Sequence, residues 1–380
     1  MRFMLDWIWQ SSTWPDFAHD AHELMPALSA ARRAQGEILG LSRALGLAEA
    51  RGVQARIWEG ESIATAAIEG ERLDLTSLRS SIARRLGIAT TASPAARTVD
   101  SLLDMLEDAT ARWDKPLTLK RLRGWHAALF PTGYSGMHKI MPGQLRRSSE
   151  AMQIVSGPIH LPKVHYETPP AARVPAELRR FLEWFNGESR ALDGLVRAGI
   201  AHLWFEIIHP FEDGNGRIGR AIADLALAQD LKTHQRVYSF AAELAAERAS
   251  YYEELQIASR AGADVNRWLI WFCGVFARAC VRSTGVVHSA LAKARFWSDH
   301  RGKTVSHAQA KVLNRLLDAG PRGFEGDLTT RKYVALTGLS RATAYRDLFA
   351  LHGAGMLASD GQGKATRYFI NLEGWEPALR

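Results

Sequence analysis

Pro210 is the residue that most constrains how this chain can fold. Upstream, over residues 190 to 208, Leu192, Leu195, Val196, Ile200, Leu203 and Ile207 recur at helical spacing and form one apolar stripe. A proline disfavours helical geometry at the residue before it, so the predicted helix must stop at His209. A second helical period runs from 221 to 281. The chain therefore has to turn within "HPFEDGNGRIGR", residues 209 to 220. A plain reversal needs one or two residues tolerant of positive φ, and the others can be ordinary polar residues. This loop holds a histidine, two acids, three glycines, an asparagine and two arginines, far more chemistry than a turn requires.

With 380 residues and 47% apolar content, the chain is expected to form two or three packed units. The same helical period in "ELMPALSAARRAQGEILGLSRALGLAEA" makes the protein mainly α. "GIATTASPAARTV" (87 to 99) marks a boundary near 95, giving a helical N-terminal region, 1–95, and a central region, 96–290. "SEAMQIVSGPIHLPKVHYETPP" breaks the helical pattern with β-favouring residues about Gly157-Pro158 and predicts a short hairpin. From 300 to 380 two short helices about a Thr-Gly-Leu-Ser turn, then strand, glycine-rich tip and strand, describe a winged helix-turn-helix. Charge interrupts the apolar runs before the length of a membrane span, so no membrane segment is expected. "MRFMLDWIWQSSTW" has an acid and tryptophans where a signal peptide would have an unbroken apolar core. Cys273 and Cys280 are seven apart on one predicted helix, too distant to pair, which suits a reducing compartment. A cytoplasmic location is expected. Lys plus Arg exceed Asp plus Glu by 48 to 40, which permits phosphate-bearing partners without choosing between nucleotide and nucleic acid.

Within the loop each residue type suits phosphate chemistry. His209, with an ordinary pKa of about 6.5, can take a proton as a general base. Gly214 and Gly216 let successive N–H groups turn toward one point, and the next helix, beginning near Arg217, adds its own unpaired N–H groups, making an anion nest. Asp213 can hold Mg²⁺ against phosphate oxygens, because Mg²⁺ takes only one or two protein carboxylates. Asn215 can donate through its amide to an oxyanion. Arg217 and Arg220 share one helix face and can clamp further phosphates. Phe211 is expected to anchor the loop in the core, and Gly219 is given no role.

The stretch resembles the signature of the Fic (filamentation induced by cAMP) family, HPFx[DE]GNGRxxR, at every defined position. That resemblance implies a helical Fic-fold core and transfer of AMP from ATP to a hydroxyl of a target protein, with Mg²⁺. By position it makes His209 the base, Asp213 the Mg²⁺ ligand, Gly214, Asn215 and Gly216 the phosphate cradle, and Arg217 and Arg220 the clamps. Within "ESIATAAIEGERLDL", Thr65, Glu69 and Gly70 resemble the [ST]xxxE[GN] motif of the inhibitory helix that some members carry ahead of the core, placed here near 61–70. There the glutamate pairs with the second signature arginine, here Arg220, and obstructs the γ-phosphate. Gly70 alone also reads as an ordinary helix C-cap.

The predicted hairpin, preceded by "GQLRR", occupies the place of the Fic flap, whose edge holds a target segment by strand addition, with Met152, Ile154 and Val155 as flap residues. "WIWQSSTWPDF" resembles a helical domain of unknown function found ahead of some bacterial Fic cores, with Trp7, Trp9, Trp14 and Phe17 as core anchors. In the C-terminal unit Arg341, Tyr345 and Arg346 on the second helix, with Lys364 and Arg367 on the wing, are candidate DNA contacts. The expectation is a Mg²⁺-dependent, autoinhibited protein adenylyltransferase acting on ATP and on a protein target or itself. Transfer or removal of another nucleotide group stays open, as does a DNA-binding regulator using the core as a nucleotide sensor. A glycine at 216, where the phosphotransferase branch commonly has lysine, speaks against phosphate transfer. Target and oligomeric state, a homodimer included, are not legible.

Overall fold

The computed structural model describes residues 7–88, 97–148, 152–156, 163–260, 262, 265–320, 327–363, 366–373 and 375. It is mainly helical, with a few two-stranded antiparallel hairpins. In chain order the helices and strands are α1 (Ala21–Ser42), α2 (Leu47–Ile68), α3 (Leu75–Arg85), α4 (Arg97–Ala111), α5 (Leu119–Leu129), β1 (Tyr134–Ser135), β2 (His138–Lys139), β3 (Gln153–Ser156) and β4 (Lys163–Glu167). They continue with α6 (Val174–Asn186), α7 (Gly194–Ile208), α8 (Asn215–Leu231), α9 (Phe240–Ala246), α10 (Arg248–Arg260) and α11 (Asn266–Asp299). Last come α12 (His307–Ala319), α13 (Thr330–Thr337), α14 (Arg341–Gly353), β5 (Leu357–Asp360) and β6 (Arg367–Ile370). The chain divides into two compact units, residues 1–39 with 54–283 and residues 40–53 with 284–380. The boundary expected near 95 lies outside the described residues.

In the larger unit α7 is the central helix. Every residue of it except Glu206 is buried, as befits a helix apolar on nearly all sides. α8 packs along it more extensively than any other helix does. Trp7, Trp9 and Trp14 are buried, as expected of core anchors; Trp7 meets Tyr166 edge-on at 5.3 Å and Trp14 meets Trp204 at 6.0 Å. Two expected helix limits shift. α7 starts at Gly194 rather than 190, because the side chain of Asp193 accepts from Leu195 N at 2.8 Å and so caps it, while 188–191 form a 3₁₀ turn. α8 starts at Asn215 rather than near Arg217, because Gly214 at φ 77° is its N-cap and turns the chain straight into helical geometry.

α11 corrects the membrane reading: one stretch of it is long and apolar enough, by length and composition, to cross a bilayer. The core helix of a globular unit passes the same test, and Trp268, Leu269, Phe272, Cys273 and Phe276 of α11 are buried in the larger unit. Cys273 and Cys280 are both buried and not joined by a disulfide.

The smaller unit has its own core of Phe296, Val312, Leu316, Tyr333, Leu348 and Tyr368. α13 and α14 flank the Thr-Gly-Leu-Ser turn, where Gly338 at φ 72° ends the first helix and Ser340 caps the second by accepting from Thr343 N at 3.2 Å. β5 and β6 then pair from Leu357↔Ile370 to Asp360↔Arg367.

Candidate active site

His209 sits at the C-terminus of α7 in left-handed geometry, φ 47° and ψ 60°. Pro210 has no N–H to give to the carbonyl of Glu206, and the His209 ring takes that place, its Nδ1 lying 3.3 Å from Glu206 O. A carbonyl only accepts, so Nδ1 carries the proton and Nε2 keeps the free lone pair. Burial lowers the ring pKa to about 4, the Glu206 carbonyl working against that, so the imidazole is neutral at physiological pH.

The loop beyond is held rigidly. Phe211 is fully buried and stacks on His126 at 4.3 Å, and the His126 Nδ1 accepts from Gly143 N at 2.8 Å. The Asn215 amide accepts from Phe211 N at 3.0 Å and donates to Phe211 O at 2.9 Å. This corrects the expectation of an amide free for an oxyanion: the side chain is 2% exposed and closes the loop on itself, leaving the backbone N–H groups of the α8 N-terminus as the anion donors. A Cβ at Gly216 would lie 2.6 Å from Glu69 Oε1, so the absence of a side chain there is what lets the carboxylate approach the helix start.

Neither arginine is free. Arg220 is 2% exposed and held by the end of α2: Nε donates to Thr65 Oγ1 at 2.9 Å, Nη2 to Thr65 O at 3.2 Å and to Glu69 Oε1 at 2.7 Å. Burial alone would lower its pKa, but the charge and hydrogen bond of Glu69, with Tyr251 and Glu206, together outweigh that and hold it above its ordinary value. Gly70, at φ 79°, ends the helix as a left-handed cap, so the ordinary capping reading and the pairing of Glu69 are both realised. The turn it makes delivers Glu71, whose Oε1 accepts from Arg217 Nη1 at 2.8 Å, while the Arg217 guanidinium lies 5.1 Å over the Phe130 ring. α2 is itself anchored through buried Glu61, which pairs with Arg236 at 3.1 Å and accepts from Ser239 Oγ at 2.7 Å and Ala241 N at 3.1 Å; Arg236 also pairs with Asp224, one turn beyond Arg220 on α8.

Asp213 is half-buried; one carboxylate oxygen accepts from Gly214 N at 2.5 Å and the other from the Ser135 hydroxyl. Among the described residues no group of three or more His, Cys, Asp or Glu side chains gathers to hold a metal by itself. The donor set of one carboxylate and one hydroxyl is nonetheless composed of hard oxygens, which fits Mg²⁺ arriving on phosphates and keeping most of its waters.

His209, Glu69, Gly216 and Arg220 line one cavity of about 660 Å³, together with Glu206, Tyr252, Gln256 and Ile154. Ile154 lies on β3, where it opposes Tyr166 and is 38% exposed; Val155 opposes Val164 after a register shift, and Met152 accepts through its carbonyl from Thr168 N at 3.0 Å. Of the flap residues, Ile154 reaches the cavity wall. In the smaller unit Arg341, Tyr345 and Arg346 are exposed on α14. Arg367 is on β6 but pairs with Asp327 at 3.0 Å, so its charge is already engaged, and Lys364 lies outside the described residues.

Several further residues complete the site without a signal in the sequence that marks them. Glu206 lies one helical turn before His209, with Oε2 at 4.0 Å from Nδ1, and burial raises its carboxyl to about 8, so it is protonated at neutral pH. Gly219, to which no role was given, is a point of close approach between α7 and α8: a Cβ there would lie 2.5 Å from Glu206 Oε1 and 3.2 Å from His202 Nδ1. Arg146 and Tyr166 bond to the carbonyls at the end of α7. Their partners are backbone atoms over forty positions away, and no local spacing announces them.

Comparison with known proteins places this geometry. Residues 116–227 match the Fic/DOC family, and residues 7–88 match a domain of unknown function (DUF4172). A probable protein adenylyltransferase of Aquifex aeolicus is 37% identical over 65 residues, 17% of this chain and 20% of that protein. The protein adenylyltransferase fic-1 of Caenorhabditis elegans is 40% identical over 52 residues, 13% of this chain and 10% of that one. The chain thus spans a fifth or less of the length of these curated relatives. In fold it is similar to the crystal structure of a Fic family protein from Desulfovibrio desulfuricans, with a TM-score of 0.53 and 24% identity over 91% of this chain and 96% of that one. A Fic domain containing signaling protein from Bacteroides thetaiotaomicron gives a TM-score of 0.52 and 17% identity over 69% and 97%. Residues 116–227 of the chain thus match the Fic/DOC family, and the chain has the fold of a Fic family protein.

Proposed function

We propose that this protein transfers AMP from ATP to a hydroxyl of a protein target, in the cytoplasm, and that its resting state is held off by Glu69. The observation that carries the reading is the cavity in which a neutral His209, the N-terminus of α8 and the Glu69–Arg220 ion pair at 2.7 Å come together. The target hydroxyl oxygen attacks the α-phosphorus and gives its proton to His209 Nε2, while the bond from the α-phosphorus to the bridging oxygen breaks and pyrophosphate leaves. Phosphate charge beside the ring raises its basicity from the buried value, so the proton is accepted when nucleotide is present. The α8 N–H groups and Arg217 hold phosphate oxygens as charge develops. Asp213 and Ser135 would hold Mg²⁺, which neutralises phosphate charge when bound.

Arg220 cannot offer its Nε–Nη2 edge to Glu69 and a γ-phosphate in one geometry, because Thr65 and Glu69 already take those donors. Nucleotide must displace the carboxylate or bind askew. The test is incubation of wild type, Glu69→Gly and His209→Ala with Mg²⁺ and ATP labelled at the α- or γ-phosphate. Transfer of the α-label, enhanced by the Glu69 change and lost with the His209 change, is expected. Transfer of the γ-label, or of neither label with ATP bound, would overturn the reading.

For the smaller unit we propose DNA contact through the face of α14, where Arg341, Tyr345 and Arg346 are exposed. Binding should fall steeply with added salt, and Arg341→Ala should weaken it; salt-independent binding or none would overturn this.

A further inference from the structure

The last turn of a helix leaves four carbonyls without intrahelical partners, and at the end of α7 each of them has a partner. Phe205 O accepts from His209 N at 3.0 Å and Glu206 O faces His209 Nδ1 at 3.3 Å. Ile207 O accepts from the Tyr166 hydroxyl at 2.7 Å, and Ile208 O accepts from Arg146 Nη2 at 3.3 Å. Arg146 goes further: its Nε donates to His209 O at 2.7 Å and its own N–H to Pro210 O at 3.0 Å. Arg146 is 4% exposed, and the hydrogen bonds of its guanidinium among the described residues all go to backbone carbonyls. A buried arginine engaged only with carbonyls is costly, and its placement at a helix C-terminus is where the macrodipole compensates most.

Arg146 also ties together the two segments that flank the hairpin. Arg146 precedes β3, and its Nη2 also donates to Pro169 O, just after β4, at 2.5 Å. Tyr166, the other bond to the α7 terminus, stands on β4 opposite Ile154, whose side chain lines the cavity. The strained left-handed backbone of His209 is therefore held from the flap side as well as from its own helix.

We propose that Arg146 is the positioning residue of the His209 base and that, with Tyr166, it links the ring's placement to the roots of the β3–β4 hairpin. A target segment docked on the hairpin edge then presents its hydroxyl and steadies the base through the same two side chains. This rests on the AMP-transfer reading for its consequence, but its physical claim concerns His209 alone and is testable apart from turnover.

The experiment is ¹⁵N-histidine NMR of the full chain in wild type, Arg146→Ala, Arg146→Lys and Tyr166→Phe, with His209→Ala to assign the ring. Wild type should hold His209 in the Nδ1–H tautomer; Arg146→Ala should show a mixture with the Nε2–H form, restored by free guanidinium at concentrations well below those that unfold proteins. Should Arg146→Ala not fold, Arg146→Lys decides the matter, since it keeps the charge and loses the fork. In a Glu69→Gly background the Arg146 changes should lower kcat by as much as ~10²-fold while leaving KM for ATP unchanged, the scale expected of a misplaced reacting group. An unaltered Nδ1–H tautomer in folded Arg146→Ala or Arg146→Lys would overturn the inference. Absence of transfer from Glu69→Gly with Arg146 intact would overturn the AMP-transfer reading instead, the tautomer still judging Arg146.

Discussion

Two helix junctions in this chain, α7–α8 and α13–α14, are built on one plan and differ in what they require. Each ends its first helix with a residue in left-handed geometry, His209 at φ 47° and Gly338 at φ 72°. At 338 glycine adopts that geometry without penalty, and Ser340 two residues on supplies the next cap. At 209 a side chain sits where L-residues are disfavoured by about 1–3 kcal/mol, and the conformation persists because Arg146, Tyr166 and Glu206 over-determine it. The α13–α14 junction is satisfied by residues within it. The α7–α8 junction draws its partners from α2, the residues before β3, and β4. Strain that distant residues must hold in place, in a cavity, is the mark of a site; strain relieved locally is the mark of a turn.

The largest effect should come from removing the strained side chain. His209→Ala is expected to cut α-label transfer by ~10²–10⁴-fold, with the thermal midpoint nearly unchanged, measured on purified folded protein. Retained transfer would make the junction an elaborate turn after all.

Acid should separate the junctions next. His126, His202 and His209 are each lowered to about 4 by burial, so below about 6.5 the unfolded chain takes up protons that the fold refuses, and stability falls as pH drops toward 4. Glu206, raised to about 8, works the other way: its contribution is full below about 4.5 and is lost as pH rises through 8. Denaturant unfolding of wild type should therefore show greatest stability near pH 6.5, and Glu206→Gln should flatten the decline above it. A stability profile still rising at pH 8 would contradict this.

Packing comes third. Gly219→Ala should destabilise the fold by about 1–3 kcal/mol, because its Cβ would press on Glu206 and His202, measured by denaturant midpoint at constant slope. Ser340→Ala, at the other junction, should cost about 1 kcal/mol through the lost cap and leave AMP transfer unaltered.

Two ion pairs give the smallest and sharpest contrast. Freeing buried Arg220 by Glu69→Gly should raise initial transfer rates at least about tenfold, equivalent to about 1.4 kcal/mol. Glu71→Gln, which frees Arg217 from a carboxylate whose side chain is 47% exposed, should raise them by no more than about fivefold, because exposed pairs are worth about 0.2–1 kcal/mol. Equal effects would mean that both acids share the restraint.

The sequence by itself determined the helical character, the stop at His209, the buried Phe211 and the hairpin at β3–β4, because period, proline and turn chemistry act within a few residues. It also singled out Thr65, Glu69 and Arg220 as a set, by likeness to a motif. Tertiary structure alone decided that Asn215 closes the loop rather than facing a ligand, that Glu71 doubles the acid at the arginines, that Gly219 is a point of contact, and that Arg146 and Tyr166 bond to the carbonyls about His209. Those are matters of which buried donor finds which carbonyl. Hydrogen-bond satisfaction in a core is settled among residues brought together by packing, and it leaves no period in the chain.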